Sequence, residues 1–193
     1  MKDIIRAHLD RLDAALKRVS AERVAEFTER LYRAYQDGKQ VFVLGNGGSA
    51  STASHMAADL AKNTIDANMR RFRIMSLNDN ISLLTALSND LGYENAFSEQ
   101  LMNLIHPGDV LVVISGSGNS PSVLRAIDYA RAQCAQVVGL LGFDGGAAQE
   151  QCDTAIVVES DDYGVVEDAH LVINHILVEY FRERFDRERP SHA

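Results

Sequence analysis

Residues 41–55 read VFVLGNGGSASTASH, and the fold can be predicted from this stretch. It begins with an apolar run, continues through a glycine-rich turn and ends with the spacing of a helix. The same succession recurs where DVLVVIS at 109–115 leads through a loop of serine and glycine into a predicted helix over 120–132. Strands made almost entirely of Val, Ile and Leu, each followed by a helix, are typical of a parallel sheet covered on both faces. The prediction is therefore a three-layer, doubly wound α/β fold.

Three further apolar runs complete a predicted five-stranded parallel sheet. They are RFRIMSL at 71–77, AQVVGLLGF at 135–143 and TAIVVES at 154–160. Upstream of the first strand, residues 4–36 carry apolar side chains at helical spacing with a break near Ser20, which predicts a pair of amphipathic helices. The remaining helices are predicted near 49–63, 80–88, 94–104 and 166–184.

We expect one domain over residues 1–193, with the helical pair at 1–37 and the α/β core at 38–185. The apolar stripe of the helical pair exceeds what a five-stranded sheet needs for its cover. The surplus is suited to a helical bundle between protomers. The sequence therefore predicts a homo-oligomer held together by residues 1–37.

The bulk composition excludes several classes of partner. A formal net charge of −8 repels a phosphate backbone, so no nucleic acid is expected as a partner. No apolar run approaches the roughly 20 residues that cross a bilayer, and the N-terminus lacks the features of a signal peptide. Cys134 and Cys152 are too few for a disulfide framework. We therefore expect a cytoplasmic protein with no membrane partner.

Two loops at strand ends have the composition of anion sites. In the first, residues 45–49, glycines permit close backbone approach and a helix start adds a positive partial charge. In the second, residues 115–120, three hydroxyls and several amides precede Pro121 at the next helix start. Since ligands of such sheets bind at the carboxyl ends of the strands, the pair of loops predicts a pocket for a single phosphate.

Two other interpretations of the first loop stay open. It can be a plain tight turn with Ser49 as the helix cap. It also matches the dinucleotide pattern GxGxxA at Gly45, Gly47 and Ala50. Against the second interpretation, no acidic residue ends the second strand, where a ribose partner is expected.

Four motifs resemble, in order and spacing, those of the phosphoheptose isomerases, a family with the sugar isomerase (SIS) fold. They are GNGGSA at 45–50, NDLGYENAFS at 89–98, ISGSGNSPSV at 114–123 and EDAHLVINHIL at 167–177. Members convert sedoheptulose 7-phosphate to D-glycero-D-manno-heptose 7-phosphate. The resemblance implies a flavodoxin-like SIS domain, a homotetramer with sites at its interfaces, and substrate contacts from Asn46, Gly47, Gly48, Ser49, Asn89, Asp90, Ser115, Gly116, Ser117 and Ser120.

Histidines and carboxylates suggest a metal site beside these loops. His55 and Asp59 are four residues apart on a predicted helix, so they project from one face and could share an ion, although such a pair also occurs on plain surfaces. Near the C-terminus, Glu167, His170 and His175 are further possibilities. The resemblance implies a divalent metal, zinc by preference, on His55, Asp59, Glu167 and His175, and a structural role for His170.

Isomerisation of an aldose and a ketose needs a base that moves a proton between C1 and C2, and an acid or a Lewis-acid metal at the oxygens. The resemblance implies that Asp59 is the base and His175 its acid partner. The family usually has Glu where this chain has Asp59, Gln where it has Glu167, and Ser-Thr-Ser where it has Ser115, Gly116 and Ser117. Asp59 is one methylene shorter than Glu, about 1.5 Å at a site where misplacement can cost about 100-fold in rate. The alternative is that Glu167 has taken over the proton transfer.

Glu167 and His175 are eight residues apart, which in one regular helix is about 12 Å along the axis. Either the helix begins after Glu167, or the two side chains reach one ion from different chains. A second function is also open, because the SIS family includes a non-catalytic regulator of bacterial replication initiation. That relative lacks the catalytic carboxylate and the final histidine, whereas this chain has Asp59 and His175.

Overall fold

The computed structural model describes residues 1–67 and 69–188, so the last five residues of the predicted domain lie outside the described part. Five parallel strands form one sheet in the order β2-β1-β3-β4-β5. Val41 of the first strand pairs with Ile74 on one side and with Val110 on the other. The strands are β1 (Val41–Gly45), β2 (Ile74–Ser76), β3 (Val110–Ser115), β4 (Gln136–Gly142) and β5 (Thr154–Val158).

The helices cover both faces of this sheet, as predicted. They are α1 (Lys2–Arg18), α2 (Ala21–Gln36), α3 (Gly48–Lys62), α4 (Ile81–Leu91), a 3₁₀ turn (Tyr93–Asn95), α5 (Ala96–Leu104), α6 (Pro121–Ala132), α7 (Gly146–Gln151) and α8 (Tyr163–Glu188). The break between α1 and α2 falls at Ser20, whose side chain accepts a hydrogen bond from the Arg23 amide as a helix cap. Helix α7 was not predicted, and α8 begins three residues earlier than expected.

Alternation along the strands divides the core into two layers. Val41 and Val43 face the layer built by α2, α3 and α8, where Phe27 and Phe181 are fully buried. Phe42 faces the opposite layer, which α5 and α6 complete. Because β1 and β3 are buried along their whole length, both loops that follow them start from fixed positions. None of the described helices combines the length and apolar character that a membrane crossing needs.

Candidate active site

The two predicted anion loops lie side by side. They follow β1 and β3, which are neighbours in the sheet at the point where the strand order reverses. Ligands of open α/β sheets bind at this position. A single pocket opens over both loops and is lined by Asn46, Gly47, Gly48, Ser49, Ser115, Gly116, Ser117, Ser120, Tyr163 and Glu167.

The helices that begin at this pocket present backbone amides to it. The N-cap of α3 is Gly47, at φ 58°, and the N-cap of α6 is Ser120, and neither makes a side-chain cap hydrogen bond. The interpretation of Ser49 as the cap is therefore wrong, because that residue lies inside the helix and is buried. A glycine cap leaves the first-turn N–H groups for an anion, which the positive end of the helix also favours.

Hydrogen bonds brace the serine loop from below. The Ser115 hydroxyl accepts from the Gly118 amide at 3.1 Å, and the Ser117 hydroxyl accepts from the Asn119 amide at 3.3 Å. Asn119 in turn accepts from the amide of Ala147 at 2.9 Å, in the first turn of α7. The helix that the sequence did not predict thus holds the serine loop in place.

Asparagines fix the first loop in the same way. The Asn78 side chain accepts from the Gly45 amide at 3.2 Å and donates to the Gly45 carbonyl at 2.9 Å. Asn46 donates to the Ser122 hydroxyl at 3.0 Å, and its Oδ1 accepts from the Tyr93 hydroxyl at 2.6 Å. The pocket is therefore preorganised on both sides.

A second group of polar side chains lies between α3 and α8. His55 Nε2 is 3.1 Å from Asp59 Oδ2 and 3.4 Å from His175 Nε2. The third edge of this triangle, from His175 Nε2 to Asp59 Oδ2, is 3.8 Å. The side chains of His55 and His175 are about half exposed, at 43% and 57%, so an ion could reach the group from solvent.

The spacing of these three atoms suits a divalent ion. Bonds of about 2.0–2.1 Å in a tetrahedral site place neighbouring ligand atoms roughly 3.3–3.4 Å apart, close to the three edges observed. Two imidazole nitrogens and a carboxylate oxygen are ligands that zinc and similar ions accept. His55, Asp59 and His175 are thus brought together as the sequence predicted, within one chain.

Two amides orient the carboxylate of this group. Asn63 donates to Asp59 Oδ1 at 2.9 Å, and Asn174 donates to Asp59 Oδ2 at 3.0 Å. Asn174 is fully buried, and its own Oδ1 has no hydrogen-bond partner among the described residues. Such second-layer contacts fix ligating carboxylates in metal sites. The shorter side chain of Asp59 is therefore held in one orientation.

Glu167 lines the pocket over the two loops and lies outside the group of His55, Asp59 and His175. A Cβ on Gly48 would overlap its carboxylate, so glycine at that position makes room for it. Because α8 contains both Glu167 and His175, the idea that the helix starts after Glu167 is wrong. The roles of Glu167 as a metal ligand and as a proton-transfer group stay predictions.

His170 has the structural position that was expected of it. It is fully buried, and its Nε2 donates to the Leu141 carbonyl at 3.0 Å. Burial lowers the pKa of the imidazole to about 4, so the ring is neutral at pH 7. This histidine anchors α8 to β4.

Asn89 and Asp90 are not brought to the pocket. They lie exposed at the end of α4, where the Asn89 amide donates to the Asp90 carboxylate at 2.8 Å. No residue of α4 is buried, although the helix is rich in leucine. The predicted substrate contacts from these two residues are therefore not made by the described part of this chain alone.

The sequence did not predict the roles of Asn78, Asn174 and Tyr163. Asn78 and Tyr163 lie outside the four motifs, whereas Asn174 lies within EDAHLVINHIL. The roles of Asn78 and Asn174 depend on contacts between elements that are distant in sequence, and Tyr163 lines the pocket directly. A signal was available for Asn174, since an amide beside a presumed ligand histidine inside an apolar helix needs a buried partner.

Comparisons with known proteins show the family of this chain. The SIS domain family model matches residues 6–142, more than half of the chain. The phosphoheptose isomerase of Geotalea daltonii is 40% identical over 167 residues, covering 86% of this chain and 86% of the relative. That of Trichlorobacter lovleyi is 37% identical over 167 residues, covering 83% and 81%. The solved phosphoheptose isomerase GmhA of Neisseria gonorrhoeae superimposes with a TM-score of 0.87 at 27% identity, covering 94% of this chain and 98% of that one. The chain belongs to the SIS-domain family of phosphoheptose isomerases.

Proposed function

We propose that this protein is a cytoplasmic, metal-assisted isomerase that converts sedoheptulose 7-phosphate to D-glycero-D-manno-heptose 7-phosphate. The observation that carries this proposal is the arrangement on α3 and α8, which both run from the phosphate pocket to the group of His55, Asp59 and His175. A phosphate bound at the loops would direct the other end of the sugar toward these side chains. The family relatives carry the same activity in their names.

The loops supply binding and orientation. Amides at the starts of α3 and α6 face the phosphate without competing side-chain caps. The hydroxyls of Ser115, Ser117 and Ser120 add donors at the same anion. Holding the phosphate at one end fixes the reacting carbons against the catalytic groups, which is the main contribution of substrate positioning to rate.

His55, Asp59 and His175 would hold the divalent ion, zinc by preference, with Glu167 as the fourth predicted ligand. When bound, the ion polarises the carbonyl and hydroxyl oxygens of the sugar. Asp59 would be the base that carries the proton from C1 to C2, and His175 the acid that gives a proton to O2 and recovers one from O1, so no proton is gained or lost. For the Nε2 of His175 this role and ligation of the ion are alternatives, because a nitrogen bound to an ion has no proton to give. The hydrogen bonds from Asn63 and Asn174 fix the orientation of the Asp59 carboxylate.

Glu167 offers a second carboxylate for the proton transfer. Asp59→Asn and Glu167→Gln separate the two, because each replaces a carboxylate by an amide of the same size. If Asp59 is the base, the Asp59 variant loses at least about 100-fold in kcat, and the Glu167 variant loses much less. If the Glu167 variant loses more kcat than the Asp59 variant, proton transfer is assigned to Glu167.

The test of the function is incubation of the purified, metal-replete protein with C5 to C7 ketose phosphates, followed by detection of aldose. We expect turnover of the C7 substrate. No turnover of any of them would contradict the proposal and favour the regulatory role known among SIS proteins. No NAD(P) binding is expected in either case.

We infer that residues 1–37 serve to assemble a homotetramer. Ile4, Ile5 and Leu9 on α1 are exposed at 71%, 52% and 57%, and no residue of α4 is fully buried. Both surfaces suit burial against other copies. Asn89 and Asp90 on α4 would then complete the pocket of a neighbouring protomer, which accounts for their distance from the pocket of their own chain.

Subunit exchange tests this shared site. A His175→Ala protein mixed with an Asp90→Ala protein would form some sites with both wild-type residues, so part of the activity should return. A mixture of His55→Ala with His175→Ala should regain nothing, since those residues come from one chain. Recovery in the second mixture and none in the first would contradict this arrangement.

A further inference from the structure

Tyr163, the first residue of α8, forms the wall of the phosphate pocket beside the serine loop. A Cβ on Gly116 would lie 2.8 Å from Cε1 and 2.9 Å from Cδ1 of its ring. Carbon atoms in proteins are about 3.5–4.0 Å apart at their best separation. The ring of Tyr163 thus occupies the space that a side chain at position 116 would need.

The ring is held from behind by Phe143, which follows β4. The two rings meet edge to face, with centroids 4.7 Å apart and planes at 71°. Phe143 has φ 54°, in the left-handed region that non-glycine residues rarely adopt. Such a conformation persists only where the surroundings impose it, and it concentrates at functional sites.

The backbone of Tyr163 is fixed as well. The Asp162 carboxylate accepts from the Gly164 amide at 2.9 Å and caps the start of α8. The same carboxylate pairs with Arg11 of α1 at 3.3 Å. Tyr163 therefore has a set position at the pocket, yet 56% of it is exposed, which leaves ring surface for a ligand to cover.

We propose that Tyr163 is a substrate-contacting residue whose ring, paired with Gly116, sets the shape and specificity of the phosphate end of the pocket. The inference rests on the proposed function and extends it. A tyrosine suits the junction of a phosphate and a sugar, because its ring offers an apolar face and its hydroxyl stays in water. Closing the side of the pocket also excludes water from the phosphate, which strengthens its hydrogen bonds to the loop.

A double-mutant cycle of Tyr163→Ala and Gly116→Thr tests the pairing. Two quantities are measured: KM and kcat for sedoheptulose 7-phosphate, and the dissociation constant of inorganic phosphate by calorimetry. Tyr163→Ala should raise both KM and the dissociation constant about tenfold with little change in kcat, since it removes binding and not chemistry. Gly116→Thr alone should raise KM more than about tenfold, because threonine and the ring compete for one space.

The decisive comparison is Gly116→Thr in the Tyr163→Ala protein, where it should change KM by less than about threefold. An equal effect in both backgrounds would overturn the pairing, as would unchanged KM and phosphate affinity in Tyr163→Ala. Tyr163→Phe keeps the ring, so its KM should stay clearly below that of Tyr163→Ala, and equal KM values would overturn the role of the ring. Thermal midpoints of all variants show that they fold. If the wild-type protein has no turnover, the proposed function fails, and the phosphate-binding cycle still decides the role of Tyr163.

Discussion

The buried amide of Asn174 donates a 3.0 Å hydrogen bond to Oδ2 of Asp59, while its own Oδ1 has no partner in the part of the chain that the structure describes. The unpaired Oδ1 lowers the stability of the folded protein, because a buried acceptor without a hydrogen bond is unfavourable. Its retention in the core is understandable if the oriented carboxylate serves the site. Function and stability should therefore respond in opposite directions when the amide is removed.

Asn174→Leu keeps the size of the side chain and removes both polar atoms. We expect the affinity for zinc to fall about 10- to 100-fold, since the carboxylate loses one of its two orienting amides. The thermal midpoint of the metal-free protein should stay equal or rise. Chelator competition gives the affinity, and unfolding in the presence of chelator gives the midpoint. A lower midpoint with unchanged zinc affinity would show that Asn174 is purely structural.

His55→Ala and His175→Ala should each abolish binding of the divalent ion, because either change leaves only two of the three grouped ligand atoms. Elemental analysis of the wild-type protein should give about one ion per chain. His106→Ala is the matched control, since His106 is an exposed histidine in a turn. Full metal occupancy in the double variant of His55 and His175 would refute the site.

Ser117→Asp places a carboxylate in the pocket where phosphate is expected to bind. Like-charge repulsion should raise KM at least about tenfold and leave the thermal midpoint unchanged. Ser117→Asn has nearly the same shape without the charge and should raise KM much less. If the two variants have equal KM values on an active protein, the phosphate binds elsewhere or the effect is one of size.

His170 should make stability depend on pH. Burial lowers its pKa from 6.5 to about 4, so between these pH values the unfolded chain binds a proton at His170 and the folded chain does not. The folded protein has its full stability with respect to this group above pH 6.5, and it loses that stability progressively as the pH falls toward 4. Between pH 7 and pH 5 the free energy of unfolding should fall by about 2 kcal/mol from this group.

Denaturant titrations at the two pH values measure this loss. His170→Asn removes the titrating group, so the difference between pH 7 and pH 5 should shrink by that amount, whatever the absolute stability of the variant. The same pH difference in the wild-type and His170→Asn proteins would contradict the shifted pKa.

The mass in solution tests the oligomer. The wild-type protein should sediment as a tetramer of 21.2 kDa chains. Ile5→Glu with Leu9→Glu should dissociate it, because charges would replace exposed apolar contacts of α1. Arg6→Glu alters a neighbouring residue of the same helix and should retain the mass. A wild-type monomer at micromolar concentration would refute the assembly.

The sequence predicts the sheet and both loops well, because β1 and β3 are almost continuous apolar runs and each loop follows one of them directly. It also predicts the meeting of His55, Asp59 and His175, through helical spacing and the family motifs. It does not predict α7, whose six residues lack a distinct apolar stripe. Contacts such as Asn174 with Asp59 depend on how α8 is rotated against α3, which local patterns do not determine.

Helices α3 and α8 together set the distance between the pocket and the group of His55, Asp59 and His175. Gly48 and His55 are seven residues apart on α3, about 10 Å along its axis, and Glu167 and His175 are eight apart on α8, about 12 Å. On each helix, the residue at the pocket and the residue in the metal group are thus about two helical turns apart. A variant that lengthens one helix would break the agreement with the other, so we expect a change of substrate chain length in this protein to need coordinated changes in both.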